Sequence, residues 1–283
     1  RGRLMPRIII EQDGSTWIAK FSNPPEGYMD NQTVEEFSAL LDDVDKSETV
    51  RAVILTGNDP DVFIRHFDVS SLLATSQKMA ARDLKFSIDR PVPENNVHVC
   101  YRRMEEMSVI FIAAINGSAM GGGFEMVLAC DFRLVKQGPY DLGLPEINIG
   151  ILAGAGGTQR LTRLIGQAKA MEMELLGRTI SPDEAVSYGV AMECVDGNVV
   201  ARALQIALKL AEKSPRASGH IKKLIKGVGD WGFEEGLANE RTLFCDLMID
   251  PRGLADMEKM LEGTNAIRDP EESAASRRPG GSK

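Results

Sequence analysis

The 283-residue chain is poor in several things from which a function could be built. It has four cysteines, Cys100, Cys130, Cys194 and Cys245, and no CxxC pair. A disulfide framework is therefore not indicated, and reduced thiols in the cytoplasm are the expectation. Three scattered histidines, His66, His98 and His220, supply no metal-ligand cluster and sit in no nucleophile motif, so no metal is expected. No apolar run approaches the ~20 residues that a bilayer span needs. The opening Arg1 to Pro6 is partly basic but has no apolar stretch before Ile8, unlike a signal peptide. Basic residues are also in deficit, 33 against 41 acidic ones, for a net charge of -8. That balance disfavours broad contact with nucleic acid or an anionic membrane surface.

What is present reads as an ordinary globular protein, with strands and helices alternating over the first ~200 residues and helices thereafter. Arg7 to Phe21 suggests two strands joined at Asp13-Gly14, a dipeptide suited to a tight hairpin. Thr33 and Glu36 have the spacing of a capping box, ahead of an apolar face of Val34, Phe37, Leu40, Leu41 and Val44. Val50 to Leu55 suggests a short strand ending at Gly57. Residues 73–106 are mainly helical and polar in pattern, interrupted by Pro91 and Pro93, and could form a flap. Val109 to Ile115 is a continuous apolar strand, which implies burial on both faces. Ser181-Pro182-Asp183-Glu184 has a cap, a first-position proline and a reciprocal glutamate, the marks of a helix start.

The most informative stretch is Ile115-Asn116-Gly117-Ser118-Ala119-Met120-Gly121-Gly122-Gly123-Phe124-Glu125. Glycines between a buried strand and a helix let backbone N–H groups approach a ligand, and the helix start adds positive potential. Such a junction suits an oxygen that gains negative charge during a reaction. Neither the GxxxxGK[ST] phosphate loop nor the GxGxxG dinucleotide spacing is met. A second glutamate follows in Tyr140-Asp141-Leu142-Gly143-Leu144-Pro145-Glu146, and then the glycine-rich turn Gly154-Ala155-Gly156-Gly157-Thr158-Gln159-Arg160-Leu161. Two nearby carboxyls tend to share one proton, which yields one base and one acid.

These three segments, in this order, resemble the crotonase superfamily, also called the enoyl-CoA hydratase/isomerase family. The resemblance extends over about residues 7 to 262. It implies an α/β fold, a spiral of ββα units with a C-terminal helical oligomerisation segment. It also implies an enzyme acting on an acyl-CoA, with hydration of a 2-enoyl-CoA favoured over isomerisation or another acyl-CoA lyase or hydrolase outcome. By the same resemblance, the amides of Phe67 and Gly122 form an oxyanion hole. Glu125 and Glu146 carry the acid–base chemistry, and the Gly154 amide helps hold a water between them. Arg65, Phe67, Asp68 and Val69 are placed along the CoA thioester with Gly122 and Gly154. CoA enters as part of the substrate, so no separate cofactor is expected.

Departures from the family pattern are visible too. His66 replaces a glycine, and Ser70 stands where a basic residue is usual, which leaves Arg65 as the candidate for a CoA phosphate. Three regions are expected: a catalytic core over 1–197, a helical region over 198–268 and a disordered tail over 269–283. Apolar stripes at Val199, Ala203, Ile206, Ala207 and Leu210, and at Leu237, Leu243, Phe244, Leu247 and Met248, need burial against something. The resemblance suggests a homotrimer or homohexamer.

Overall fold

A computed structural model describes residues 5–264, 266 and 267, so the expected tail over 269–283 lies outside the described residues. Two compact units divide the chain, one up to Lys223 and the other from Leu224 on.

The first unit is built on a six-stranded sheet. Strands β1 (Ile8–Asp13) and β2 (Thr16–Phe21) form the antiparallel hairpin, with Gly14 at φ 56° in the turn. The sheet then continues in parallel through β3 (Ala52–Gly57), β5 (Ile110–Ile115), β7 (Phe132–Lys136) and β9 (Glu193–Val195). Because successive strand residues point to opposite faces, β5 feeds two cores. Ile110, Ile112 and Ala114 join Ala52, Ile54 and Leu134 on one face, covered by Val199, Ala203 and Ala207 of helix α8 (Val199–Glu212). Phe111, Ala113 and Ile115 join Val53 and Leu55 on the other. Burying each large aliphatic side chain contributes roughly 1.5–3 kcal/mol, which is why the central strand carries no polar residue. The Val199 stripe is thus consumed within its own unit.

That second face is covered by α1 (Asn31–Lys46), α3 (Asn96–Glu106) and α4 (Gly122–Ala129). Helix α1 begins earlier than the Thr33/Glu36 spacing suggests. Asp30 is its cap, accepting from the Thr33 amide at 2.8 Å while Thr33 Oγ1 accepts from the Asp30 amide. Glu36 instead accepts from the amides of Arg7 and Ile8, tying the helix to β1. Between α1 and α3 run β4 (Val62–Ile64) and α2 (Val69–Ala81), and residues 82–95 form neither helix nor strand.

A second, three-stranded parallel sheet carries the chemistry-bearing turns. It orders β4, β6 (Ser118–Met120) and β8 (Leu142–Gly143). Asn116 sits where β5 hands over to β6: its Oδ1 accepts from the Gly57 amide at 2.8 Å and its Nδ2 donates to the Asp59 carbonyl at 2.5 Å. A Cβ on Gly117 would fall 1.9 Å from the Asp61 carbonyl carbon, so only glycine fits that crossing. Beyond β8 come a 3₁₀ turn (Glu146–Ile149), α5 (Gly157–Ile165), α6 (Gln167–Leu175) and α7 (Pro182–Ser187). Helix α7 starts with the capping box expected of Ser181 and Glu184.

Helix α9 (Pro215–Gly227) follows α8, with Pro215 as its first residue. The second unit holds α10 (Phe233–Met248) and α11 (Pro251–Leu261), the latter capped by Asp250. Both expose large apolar side chains, among them Phe233, Phe244, Met248 and Leu261. No helix among the described residues is long and apolar enough to cross a membrane.

Candidate active site

The glycine run places the first glutamate. Gly121 caps α4 at φ 52°, a backbone conformation open to glycine, and receives a turn-closing bond from the Glu125 amide at 2.9 Å. Glu125 therefore falls in the first turn of α4 and is buried to 3% exposure. Its Oε1 accepts from the amides of Ala155 at 2.7 Å and Gly157 at 2.8 Å. The second glycine-rich turn is thus a cradle for this carboxylate. Burial pushes the Glu125 carboxyl up, against the two amides and the nearby Arg160 and His98, which favour its charged form.

Glu146 opens the 3₁₀ turn and has the opposite surroundings. Its Oε2 is buried with no hydrogen-bond partner among the described residues. Burial pushes its carboxyl up to about 7, opposed by its own backbone amide and reinforced by the negative charges of Glu125 and Glu174. Glu174, on α6, is itself pushed up by burial and by Glu125.

Phe67 and Gly122 border the same cavity as these carboxyls. Phe67 bridges Met29 in parallel fashion: the Met29 amide donates to the His66 carbonyl and the Asp68 amide donates to the Met29 carbonyl. The N–H of Phe67 consequently points to the side away from Met29. Gly122 is the first residue of α4, where an amide has no partner within the helix. The two residues adjoin, since a Cβ on Gly122 would lie 3.7 Å from Phe67 Cβ. Tyr101 fixes this peptide by donating to the Gly122 carbonyl at 2.7 Å.

Phe67, Gly122 and Glu146 border two cavities. The larger, of about 630 Å³, also meets Glu125, Gly154, Met29, Val34 and His98. The smaller, of about 280 Å³, is lined by Val69, Met120, Pro145 and Ile149 among others. Sequence-expected residues thus divide into three groups. Glu125, Glu146, Phe67, Gly122 and Gly154 meet in the larger cavity, and Val69 lines the smaller. Arg65 is exposed and Asp68 caps α2 by accepting from Ser70 and Ser71; neither borders either cavity. His66 stacks on Tyr28 with ring centroids 4.4 Å apart and lines the smaller cavity.

Residues 11–253 match the family model for enoyl-CoA hydratase/isomerase. A Bacillus subtilis (strain 168) protein named "Probable enoyl-CoA hydratase" is 32% identical over 260 residues, 91% of this chain and 96% of that protein. The chain belongs to the enoyl-CoA hydratase/isomerase family. Among longer relatives, the fatty acid oxidation complex subunit alpha of Shewanella sp. (strain ANA-3) is 32% identical over 200 residues; these are 69% of this chain and 26% of that protein. Solved structures show the same fold. DspI of Pseudomonas aeruginosa matches with a TM-score of 0.82 and 28% identity, covering 94% of this chain and 97% of that one. An enoyl-CoA hydratase from Bacillus anthracis matches at 0.81 and 28%, covering 92% and 98%. As a member of the enoyl-CoA hydratase/isomerase family the chain is an acyl-CoA-processing enzyme. Three side chains around its site escaped the sequence reading: His98, Tyr101 and Glu174. Only spatial convergence brings them to Glu125, and no spacing in the chain signals it.

Proposed function

We propose that the chain adds water across the double bond of a 2-enoyl-CoA, giving a 3-hydroxyacyl-CoA. The observation that supports it is the pairing of two carboxyls beside one cavity, one with two amides on a single oxygen and the other with a buried, unpartnered oxygen. Glu125, held by two amides, takes a proton from water as the oxygen bonds to the β-carbon. Glu146, held in a pocket that favours its protonated form, gives its proton to the α-carbon. Between these events the thioester oxygen carries enolate charge, which the Phe67 and Gly122 amides stabilise. Proton exchange between the carboxyls through water restores the starting state. The Gly154 amide would help seat the attacking water, and CoA serves as part of the substrate. The smaller cavity, lined by His66, Phe67 and Val69, suits the pantetheine arm and the larger one the acyl group.

Turnover of crotonyl-CoA, followed by loss of the enoyl-thioester absorbance and identification of 3-hydroxybutyryl-CoA, tests this. Migration of the double bond without water uptake, or no turnover across a panel of enoyl-CoA lengths, would refute it. The exposed apolar faces of α10 and α11 and the family membership support assembly as a trimer or pair of trimers. Light scattering behind a sizing column should give three or six chain masses; an active species of one chain mass rules assembly out.

A further inference from the structure

Glu125 takes its two hydrogen bonds from the amides of Ala155 and Gly157. The turn that carries them is gripped from two sides. Arg160, itself paired with Glu105 at 2.7 Å, donates from Nη1 to the Ala155 carbonyl at 2.9 Å. On the adjoining peptide, His98 Nε2 lies 2.7 Å from the Gly154 carbonyl oxygen. The other ring nitrogen, Nδ1, lies 2.7 Å from Asn95 Oδ1. That Asn95 oxygen accepts from the amides of Val97 and His98 in capping α3, which fixes it as the oxygen end of the side chain.

Carbonyl oxygens can only accept. A neutral imidazole has one N–H; with it on Nε2, the Nδ1 lone pair meets Asn95 Oδ1 at 2.7 Å, while its one donor, the Asn95 amide, is farther off at 3.4 Å. The short contacts to Gly154 and to Asn95 Oδ1 are both hydrogen bonds only when both ring nitrogens carry hydrogen, and the ring is then a cation on the cavity wall.

We propose that His98 is a positioning residue for Glu125: as an imidazolium clamped between the Asn95 and Gly154 carbonyls, it fixes the turn whose amides hold the carboxylate and supplies positive charge beside it. The inference rests on the hydration reading for its kinetic consequences, but not for its electrostatic one. Glu125 is faced by Arg160 from α5, by His98 and Tyr101 from α3, by Glu146 from the 3₁₀ turn and by Glu174 from α6. Against two neighbouring acids, His98 and Arg160 are the cations that favour the ionised form, and Arg160 is shared with Glu105.

The test compares the whole wild-type chain with His98→Gln and His98→Ala, using carboxyl-¹³C glutamate labelling with Glu125→Gln to assign the Glu125 signal. In both His98 variants the Glu125 titration is expected to move to higher pH. Turnover of crotonyl-CoA should fall roughly 10- to 100-fold in kcat for His98→Ala, since a mis-set carboxylate is lost chemistry rather than lost binding. KM should stay within about threefold of wild type. His98→Gln, which keeps a donor for Gly154 but no charge, should retain more kcat than His98→Ala while showing the same direction of titration shift. Asn95→Ala keeps the ring and removes one of its carbonyl partners, so it gives a milder version should the His98 variants not fold. An unmoved Glu125 titration in folded His98→Gln or Asn95→Ala overturns the proposal, whatever happens to kcat. A wild-type chain that fails to hydrate crotonyl-CoA would overturn the hydration reading instead, and the titration would still decide the role of His98.

Discussion

Glu125 stands on a wholly buried helix, with two amides on one oxygen and Arg160 nearby. Glu146 starts a short turn whose next residues include the exposed Ile147 and Ile149, and its buried Oε2 lacks any hydrogen-bond partner among the described residues. Burial raises both carboxyls, but at Glu125 two amides of another turn oppose it, whereas at Glu146 neighbouring carboxylates reinforce it. Donors aimed at a carboxylate favour ionisation, and burial beside like charge favours the proton. In the proposed hydration, the division of labour between base and acid therefore comes from what surrounds each group, not from the groups themselves.

The bluntest way to break the comparison is to remove either carboxyl. Glu125→Gln and Glu146→Gln should each lower hydration turnover by ~100-fold or more in a folded protein, the usual loss for a positioned acid or base. Near-normal kcat in either would take that residue out of the chemistry. Next in size is the amide pair. Gly122→Pro deletes one donor and should lower kcat by ~100- to 1,000-fold, whereas Phe67→Ala keeps its backbone N–H and should stay within about tenfold of wild type. A folded Phe67→Ala as inactive as Gly122→Pro would show that the aromatic ring, not the amide, is what the site uses.

Much of this site was legible in the chain, because it rests on local rules. A glycine run between an apolar strand and a helix can hardly avoid exposing amides, and Glu125 falls in the helix's first turn by counting. The Pro145-Glu146 turn and the Gly154 to Gly157 turn were likewise visible. What was not legible is convergence. Nothing in the spacing tells that Ala155 and Gly157 donate to Glu125, thirty and more positions away. The three-stranded second sheet also escaped, since β6 and β8 are three and two residues long and carry no pattern. The α8 stripe left its partner open: amphipathicity says that a face must be buried, and here the sheet of the same unit buries it.

A smaller effect sharpens the Glu146 side of the comparison. The acid must hold its proton, so kcat/KM should fall as pH rises through about 7. Glu174 contributes negative charge to that shift after burial and Glu125. Glu174→Gln should therefore move the alkaline limb to lower pH while leaving kcat on the plateau close to wild type. An unmoved limb in the folded variant would show that burial and Glu125 alone set the acid.

The smallest expected effect concerns stability rather than rate. Glu146 has its carboxyl raised from the ordinary 4.5 to about 7 in the folded protein. Its contribution to stability is thus fully present below pH 4.5 and is lost as pH rises through 7, because the folded state then holds a poorly solvated charge. Glutamine at this position cannot ionise and avoids that loss. Glu146→Gln should accordingly be more stable than wild type at pH 8, by on the order of 1–3 kcal/mol, with the advantage fading toward pH 4.5. Denaturant unfolding at both pH values, at fixed protein concentration so that any assembly contributes equally, measures it. A variant that gains stability at pH 8 while losing turnover would place Glu146 among groups kept for chemistry at the expense of the fold. An equal difference at both pH values would instead trace the change to packing, and the buried carboxyl would no longer account for the contrast with Glu125.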